Sequence, residues 1–441
     1  MTSTTTGASP TSTKKEVRKV LLSSYLGSAI EYYDFLLYAT ASALVFPHVF
    51  FVGLSPVAGT IASYGTFAAG YLARPLGGAI FGHFGDKLGR KKMLILSMLI
   101  MGIASTLIGC VPDANVIGSW GAVILVLLRV CQGIAVGGEW GGAALMALEH
   151  SGDEKRGFAA AFANAGAPTG AALGTLIMGL SNSAMSEHDF QSWGWRIPFL
   201  VSFVLLIVGL VVRATVSESP LFLAAMEKVE KDEATKPKLP LWQVLKAPKP
   251  LIFTMLAGAS GFALQVVQST FAVGYATENG LARPNVLYVF AAASIISIGF
   301  VLGFARLSDK IGRRPMMITG LVLFIAYMYP MFALLRSGNL FLVFLAFTVS
   351  LALHAMMFGP LAAFVTEQFG TTERYTGASL GYQLATLLGA GFTPTIITAL
   401  YGKAAHLNSV LFYLIALCIV SIVFILLTRE TKNRDLMVER V

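Results

Sequence analysis

Charge is what this sequence has least of. Asp, Glu, Lys and Arg make up 12% of its 441 residues, about half the share of a soluble globular protein, roughly 25%. That is too little to coat a water-facing surface. Hydrophobic residues make up 56% and the mean hydropathy is +0.72, so the chain reads as an integral membrane protein. Cysteine is nearly absent too. Cys110, Cys131 and Cys418 sit in separate apolar stretches with no CxxC, which excludes a disulfide framework and a thiolate metal site. The six histidines, at 48, 83, 150, 188, 354 and 406, are scattered. No HExxH, GxSxG or Walker loop occurs. An enzyme and an ATP-driven pump are therefore disfavoured, and no metal or cofactor is expected. The first residues are rich in Thr and Ser and lack the basic start and short apolar core of a cleaved signal peptide.

What is present is a series of long apolar runs. Stretches of spanning length recur at about 20–46, 57–81, 93–111, 119–148, 157–182, 196–216, 251–277, 285–305, 316–335, 340–364, 376–401 and 408–428. The expectation is an all-α membrane protein of twelve transmembrane helices in two six-helix halves. Its parts are a disordered cytoplasmic terminus (1–19), a six-helix bundle (20–216), a polar cytoplasmic linker (217–250), a second bundle (251–428) and a cytoplasmic tail (429–441). The net charge of +9 does not point to nucleic acid, because the basic residues lie in short loops. With the N-terminus inside, 25 of the 32 Lys and Arg residues fall on the inner side. The outer loops hold only Arg196, Arg283, Arg336 and Lys403. The positive-inside rule then places both termini in the cytoplasm.

The halves repeat each other. Residues 82–92 read GHFGDKLGRKK and residues 305–315 read ARLSDKIGRRP. Asp86 matches Asp309, and Arg90 matches Arg313. Glu149 precedes Arg156 by seven residues, as Glu367 precedes Arg374. A looser match joins SESP (217–220) to RETK (429–432). A basic loop needs neither the Asp, the Gly nor the duplicate. Gly89 and Gly312 suit tight turns between helix ends. Asp86 and Arg90 can pair with each other or with a neighbouring helix end, with Glu149 a partner for Arg90 and Glu367 for Arg313. Such pairs would make and break as one side of a two-state carrier closes and opens.

These loops resemble the signature of the major facilitator superfamily. RVCQGIAVGGEWGG (129–142), EYYDFLLYATASALVFP (31–47), ARPLGGAIFGHFGD (73–86) and SWGWRIPFL (192–200) are similar to its metabolite:proton symporter branch. The likeness is strongest in the N-terminal half. It implies a bacterial inner-membrane carrier of shikimate-like or other organic acids, or of proline and betaine. It also implies that a monomer suffices.

Several polar residues interrupt the apolar runs. IEYYDF (30–35) puts Glu31 and Asp34 on one face of the first span, near mid-depth at 1.5 Å per residue. A carboxylate there costs roughly 2.5–3.5 kcal/mol on insertion scales. The pair either couples transport to protons or forms a permanent salt bridge. Arg129, with Gln132 in R-x-x-Q-G, is the candidate anchor for a substrate carboxylate; a structural Arg–acid pair is the alternative. Arg74 either contacts substrate or pairs with Glu139. Tyr33, with Tyr32 and Tyr38, either lines a cavity or packs. Gln265, Gln268, His354 and Gln383 would supply neutral contacts from the second half, His354 otherwise being a packed histidine. The small residues of GGEWGGAA suit close helix packing.

The expected function is import of a small organic acid with protons by alternating access. A zwitterion symporter and a proton-driven exporter are the alternatives. The partners are then a metabolite, protons and the lipid bilayer.

Overall fold

A computed structural model of the chain describes residues 13–220, 222–223, 226–227, 240–370, 373–401 and 407–434. The remainder, including most of the expected disordered terminus, Lys403 and much of the expected linker, lies outside the described residues. The described chain is helical throughout, without strands. We number its principal helices along the sequence. The first six are α1 (Lys14–Leu44), α2 (Pro56–Leu88), α3 (Arg90–Cys110), α4 (Trp120–His150), α5 (Ala167–Ser183) and α6 (Arg196–Ala214). In the second half come α7 (Lys249–Val266), α8 (Arg283–Ile311), α9 (Arg313–Leu335), α10 (Leu340–Glu367), α11 (Arg374–Thr386) and α12 (Leu407–Leu427).

Among the described residues, nine helices are long and apolar enough to cross a membrane. The other three are α1, α2 and α5. α5 is short, and α1 carries Glu31 and Asp34 among many Ser, Thr and Tyr residues. The polarity that lowers the hydropathy of α1 belongs to the site described below.

The bundle reverses the pattern of a soluble protein. On α3 the exposed large hydrophobic side chains are Leu96, Leu99, Ile103 and Leu107, an apolar stripe at helical spacing, while Ser97 and Ser105 are buried. Apolar faces outward and small polar side chains inward suit a lipid solvent. Close helix contact follows from glycine. A Cβ at Gly137 on α4 would lie on the carbonyl of Arg74 on α2, and one at Gly77 would lie on the carbonyl of Ile134. The α2–α4 crossing therefore brings backbone against backbone, as GGEWGGAA suggested.

Some expected boundaries move. α1 starts at Lys14, inside the segment expected to be disordered. Thr13 caps it reciprocally with Glu16: the Glu16 amide donates to Thr13 Oγ1 at 3.3 Å, and the Thr13 amide donates to the Glu16 carboxylate at 2.9 Å. The second span runs on to Leu88 as helix and carries Asp86 with it. The expected linker begins with packed residues at 218–219 and contains a helix, Pro240–Lys246. In the second half, α7 passes through a wide turn at Val267–Phe271 into Ala272–Glu278. α11 passes through another at Leu387–Gly391 into Thr393–Tyr401. Such wide turns interrupt the regular ladder and gather at functional sites.

Candidate functional site: a charged cavity and a two-fold latch

At mid-depth, α1, α2, α3 and α4 enclose a small cavity. Glu31, Asp34, Phe35, Arg74, Met101, Arg129, Gln132 and Val136 line it, with Gly70 and Gly133. All of these residues belong to the N-terminal half. Ser202 on α6 donates to Asp34 Oδ1 at 2.6 Å. Asp34 Oδ2 is buried with no hydrogen-bond partner. Glu31 makes no hydrogen bond or ion pair among the described residues. The permanent salt bridge that would have made this pair purely structural is thus not formed here.

Arg129 is held by rings instead of a carboxylate. Its guanidinium lies 4.1 Å from the Tyr38 ring, 4.9 Å from Phe67 and 5.4 Å from Phe35. It donates to Gln132 Oε1 at 3.2 Å, and Gln132 donates to Ser105 at 2.6 Å. Its Nε is buried and unpartnered. The side chain of Arg129 occupies the space that a Cβ at Gly70 would take. Arg74 shares the same aromatic wall, 4.9 Å from Phe35 and 4.5 Å from Tyr71. An aromatic face holds a cation in place without neutralising it. Both guanidiniums therefore keep their capacity for an incoming carboxylate.

Other expected site residues go elsewhere. Glu139 does not pair with Arg74; it pairs with Arg213 on α6 at 2.5 Å. Arg213 belonged to the inner basic set by sequence, yet only 3% of it is exposed. Tyr33 does not line the cavity, because its hydroxyl donates to the carbonyl of Pro198 at 2.7 Å. His354 shares a 2.9 Å hydrogen bond with the carbonyl of Gly261 and stacks on Phe358, which is a packing role. Gln383 donates weakly, at 3.4 Å, to the carbonyls of Val136 and Gly137 on the facing half. Gln268, on the wide turn of α7, is buried with both amide atoms unpartnered, and Gln265 is half-buried nearby. The structure thus joins Glu31, Asp34, Arg74, Arg129 and Gln132, and leaves the four second-half residues off this cavity.

The gating residues meet at the end of the bundle that carries the 82–92 and 305–315 loops, here the loop end. Gly89 (φ +104°) and Gly312 (φ +110°) make the sharp turns expected of them. Arg90 pairs with Glu149 at 3.4 Å and lies 3.8 Å from Asp86. Arg313 pairs with Glu367 at 3.1 Å and with Asp309 at 2.6 Å. Each Asp then reaches across to the other half. Asp86 accepts from the amides of Tyr375 and Thr376 at 3.2 and 3.0 Å, and from the Thr376 hydroxyl at 2.8 Å, so it caps α11. Asp309 accepts from the amides of Gly157 and Phe158 at 2.7 and 2.9 Å. Arg374 adds a cross-half pair to Glu149 at 3.5 Å.

The loose SESP/RETK match proves structural. Glu218 accepts from the amides of Arg90 and Lys91 at 3.1 Å each, capping α3. Glu430 does the same for Arg313 and Arg314 at 3.0 and 2.9 Å, capping α9. Ser219 donates to Glu149 and Thr431 to Glu367. Farther in, Trp140 stacks on Tyr382 of the other half at 3.4 Å between ring centroids. Asn164 bridges Trp140 Nε1 and the carbonyl of Phe358. The loop end is shut from its surface to mid-depth.

A twice-repeated half, a charged mid-depth cavity and a latch between the halves define a secondary carrier of the major facilitator type. The comparisons agree. Residues 20–269 match the "Sugar (and other) transporter" family model and residues 258–436 match "Major Facilitator Superfamily". The chain is 39% identical over 94% of its length to the shikimate transporter of Escherichia coli K12, covering 95% of that protein. It is 42% identical over 95% of both chains to the inner membrane metabolite transport protein YhjE of the same strain. More distantly, it is 31% identical over 96% of its length to the proline/betaine transporter of Salmonella typhimurium LT2, covering 85% of that protein. A solved proton:xylose symporter shares the fold, with TM-score 0.79 over 96% of this chain and 98% of that one at 19% identity. The chain belongs to the major facilitator superfamily. It is a multi-pass membrane transporter and not an enzyme. The likeness that the sequence motifs concentrated in the first half extends along the whole chain.

Proposed function

We propose that the protein imports a small organic acid together with protons across the bacterial inner membrane. In this reading twelve helices span the bilayer, both termini and the loop end face the cytoplasm, a monomer suffices, and the proton gradient supplies the energy. One observation carries it: two buried acids without ion pairs share a cavity with two ring-held guanidiniums. Glu31 and Asp34 are carboxyls that can take up and release protons at the cavity, since neither is held in an ion pair. Arg129, and beside it Arg74, offers a bidentate dock for a carboxylate. A substrate carboxylate that arrives with a proton leaves the cavity's charge balance intact. The relatives named for shikimate and metabolite transport support the substrate class.

The proline/betaine relatives favour a second reading, a zwitterion, whose carboxylate Arg129 would hold equally well. The test is uptake into proteoliposomes under an inward proton gradient, with a panel of organic acids, zwitterions and sugars. Accumulation of one acid with proton entry is expected. Accumulation of a zwitterion alone selects the second reading. Substrate-driven proton exit, or movement indifferent to the gradient, overturns symport.

A further inference from the structure

The Glu139–Arg213 pair is buried, lies in the N-terminal half, and has no part in the latch. Its position against α1 is informative. Asp34, Glu31, Gly27, Ser24 and Val20 follow one another at spacings of three and four residues, so they form one stripe along α1. Asp34 and Glu31 line the mid-depth cavity. One turn on, about 6 Å along the axis, Gly27 has no side chain, and its space is filled by the Arg213 guanidinium and Glu139 Oε1. Arg213 also donates to the carbonyl of Leu94 at 2.5 Å. Glu139 Oε2 and Arg213 Nε are buried with no hydrogen-bond partner. Beyond Gly27 the stripe enters a second small cavity at the loop end. Val20, Ser23, Ser24, Lys91, Leu94 and Arg213 line it, among others. Arg213 thus borders the loop-end cavity, and its partner Glu139 sits one turn from Glu31.

We propose that Glu139, poised by Arg213, is a proton station between Glu31 and the loop end, running wholly inside the N-terminal half. A proton leaves the Glu31 carboxyl, directly or over a water, and bonds to Glu139, loosening its pairing with Arg213. Glu139 then gives the proton to water in the loop-end cavity and returns to its ionised pairing. Glu31 is left as a carboxylate facing Arg74. The charged and titratable groups around the station are Arg213 from α6, Glu31 and Asp34 from α1, Arg74 from α2, Lys91 from α3 and Tyr375 from α11.

The proposal rests on reading Glu31 and Asp34 as the coupling acids, and the test separates the two. Infrared difference spectra of the full chain in lipid, on switching between acidic and alkaline buffer, follow carboxyl protonation without any substrate. The wild type should show a protonated-carboxyl band that is lost in Glu31→Gln. In Glu139→Gln, which keeps the shape of the Arg213 contact, that band should deprotonate at least roughly tenfold more slowly. Ser23→Leu, which fills the loop-end cavity that Arg213 borders and leaves Glu139 and Arg213 themselves unchanged, should slow it as well. It carries the test if Glu139→Gln does not fold. A band that relaxes at the wild-type rate in the folded variants overturns the station and leaves symport standing. A wild type with no band sensitive to Glu31→Gln or Asp34→Asn overturns both.

Discussion

Replacing Asp86 by Asn tests the latch most directly. The Asp86 carboxylate accepts three hydrogen bonds from the first turn of α11 and faces Arg90. It also lies at the positive end of that helix. Asn keeps one carbonyl oxygen, loses the charge, and turns an NH2 group toward amides that can only donate. A hydrogen bond to a charged group contributes about 1.5–3 kcal/mol. Since part of the cap survives, a net loss of about 2–3 kcal/mol in the shut state is expected. That shifts the shut-to-open ratio by about 30- to 150-fold. Spin labels at exposed Leu88 and Ile311, one beside each loop, read the separation of the halves by double electron–electron resonance. The wild type should give one short population and Asp86→Asn a larger long one, with turnover impaired more than substrate affinity. Asp309→Asn should act alike, because its two bonds mirror those of Asp86. Unchanged distances with unchanged uptake in Asp86→Asn would refute the reasoning.

The remaining predictions address the other charged and packed positions. Glu149→Gln leaves Arg90 and Arg374 buried beside a neutral partner; breaking a buried pair costs about 3–5 kcal/mol, so the thermal unfolding midpoint in detergent should fall clearly below wild type. Asp34→Asn keeps the Ser202 contact but removes a titrating site, so counterflow exchange should persist while gradient-driven accumulation disappears; retained accumulation would assign coupling to Glu31 alone. Gly137→Val drives a side chain onto the Arg74 carbonyl, and overpacking of about 1–3 kcal/mol should lower stability and move Arg74 away from the Tyr71 ring, read as lost transport by protein that still reaches the membrane.

The parts of this molecule that were legible in the sequence are those with a period or a duplicate. The latch partners Arg90–Glu149 and Arg313–Glu367 followed from matching spacing in the two halves. The two turn glycines followed from the same match. Glu31, Asp34 and Arg129 stood out because charge is costly where they sit. What escaped is partner choice between helices distant in sequence. Spacing gives no way to choose between Arg74 and Arg213 for Glu139, and Arg213 looked like one more basic residue at a helix end. The aromatic cage of Arg129 draws Phe35 and Tyr38 from α1 and Phe67 from α2, which no local pattern singles out. Tyr33 and His354 illustrate the converse: polar side chains in apolar runs whose hydrogen bonds are spent on the carbonyls of neighbouring helices. Glu218 and Glu430 left a faint trace, the SESP and RETK match, whose meaning appeared only when both were found on helix ends.

Those two end-caps have a bearing on how the protein is made. The start of α3 has no cap from its own neighbouring side chains; the carboxylate that satisfies its first amides comes from Glu218, 128 residues after Arg90. α9 waits in the same way for Glu430, 117 residues after Arg313. Each of these helices therefore lacks that cap, worth about 0.5–2 kcal/mol, until the last helix of its half has left the ribosome. Each half is completed by the residues that close it, and the cross-half bonds of Asp86 come later still, when α11 is synthesised. The order of synthesis thus leaves the first half locally complete before its counterpart exists to be latched against it.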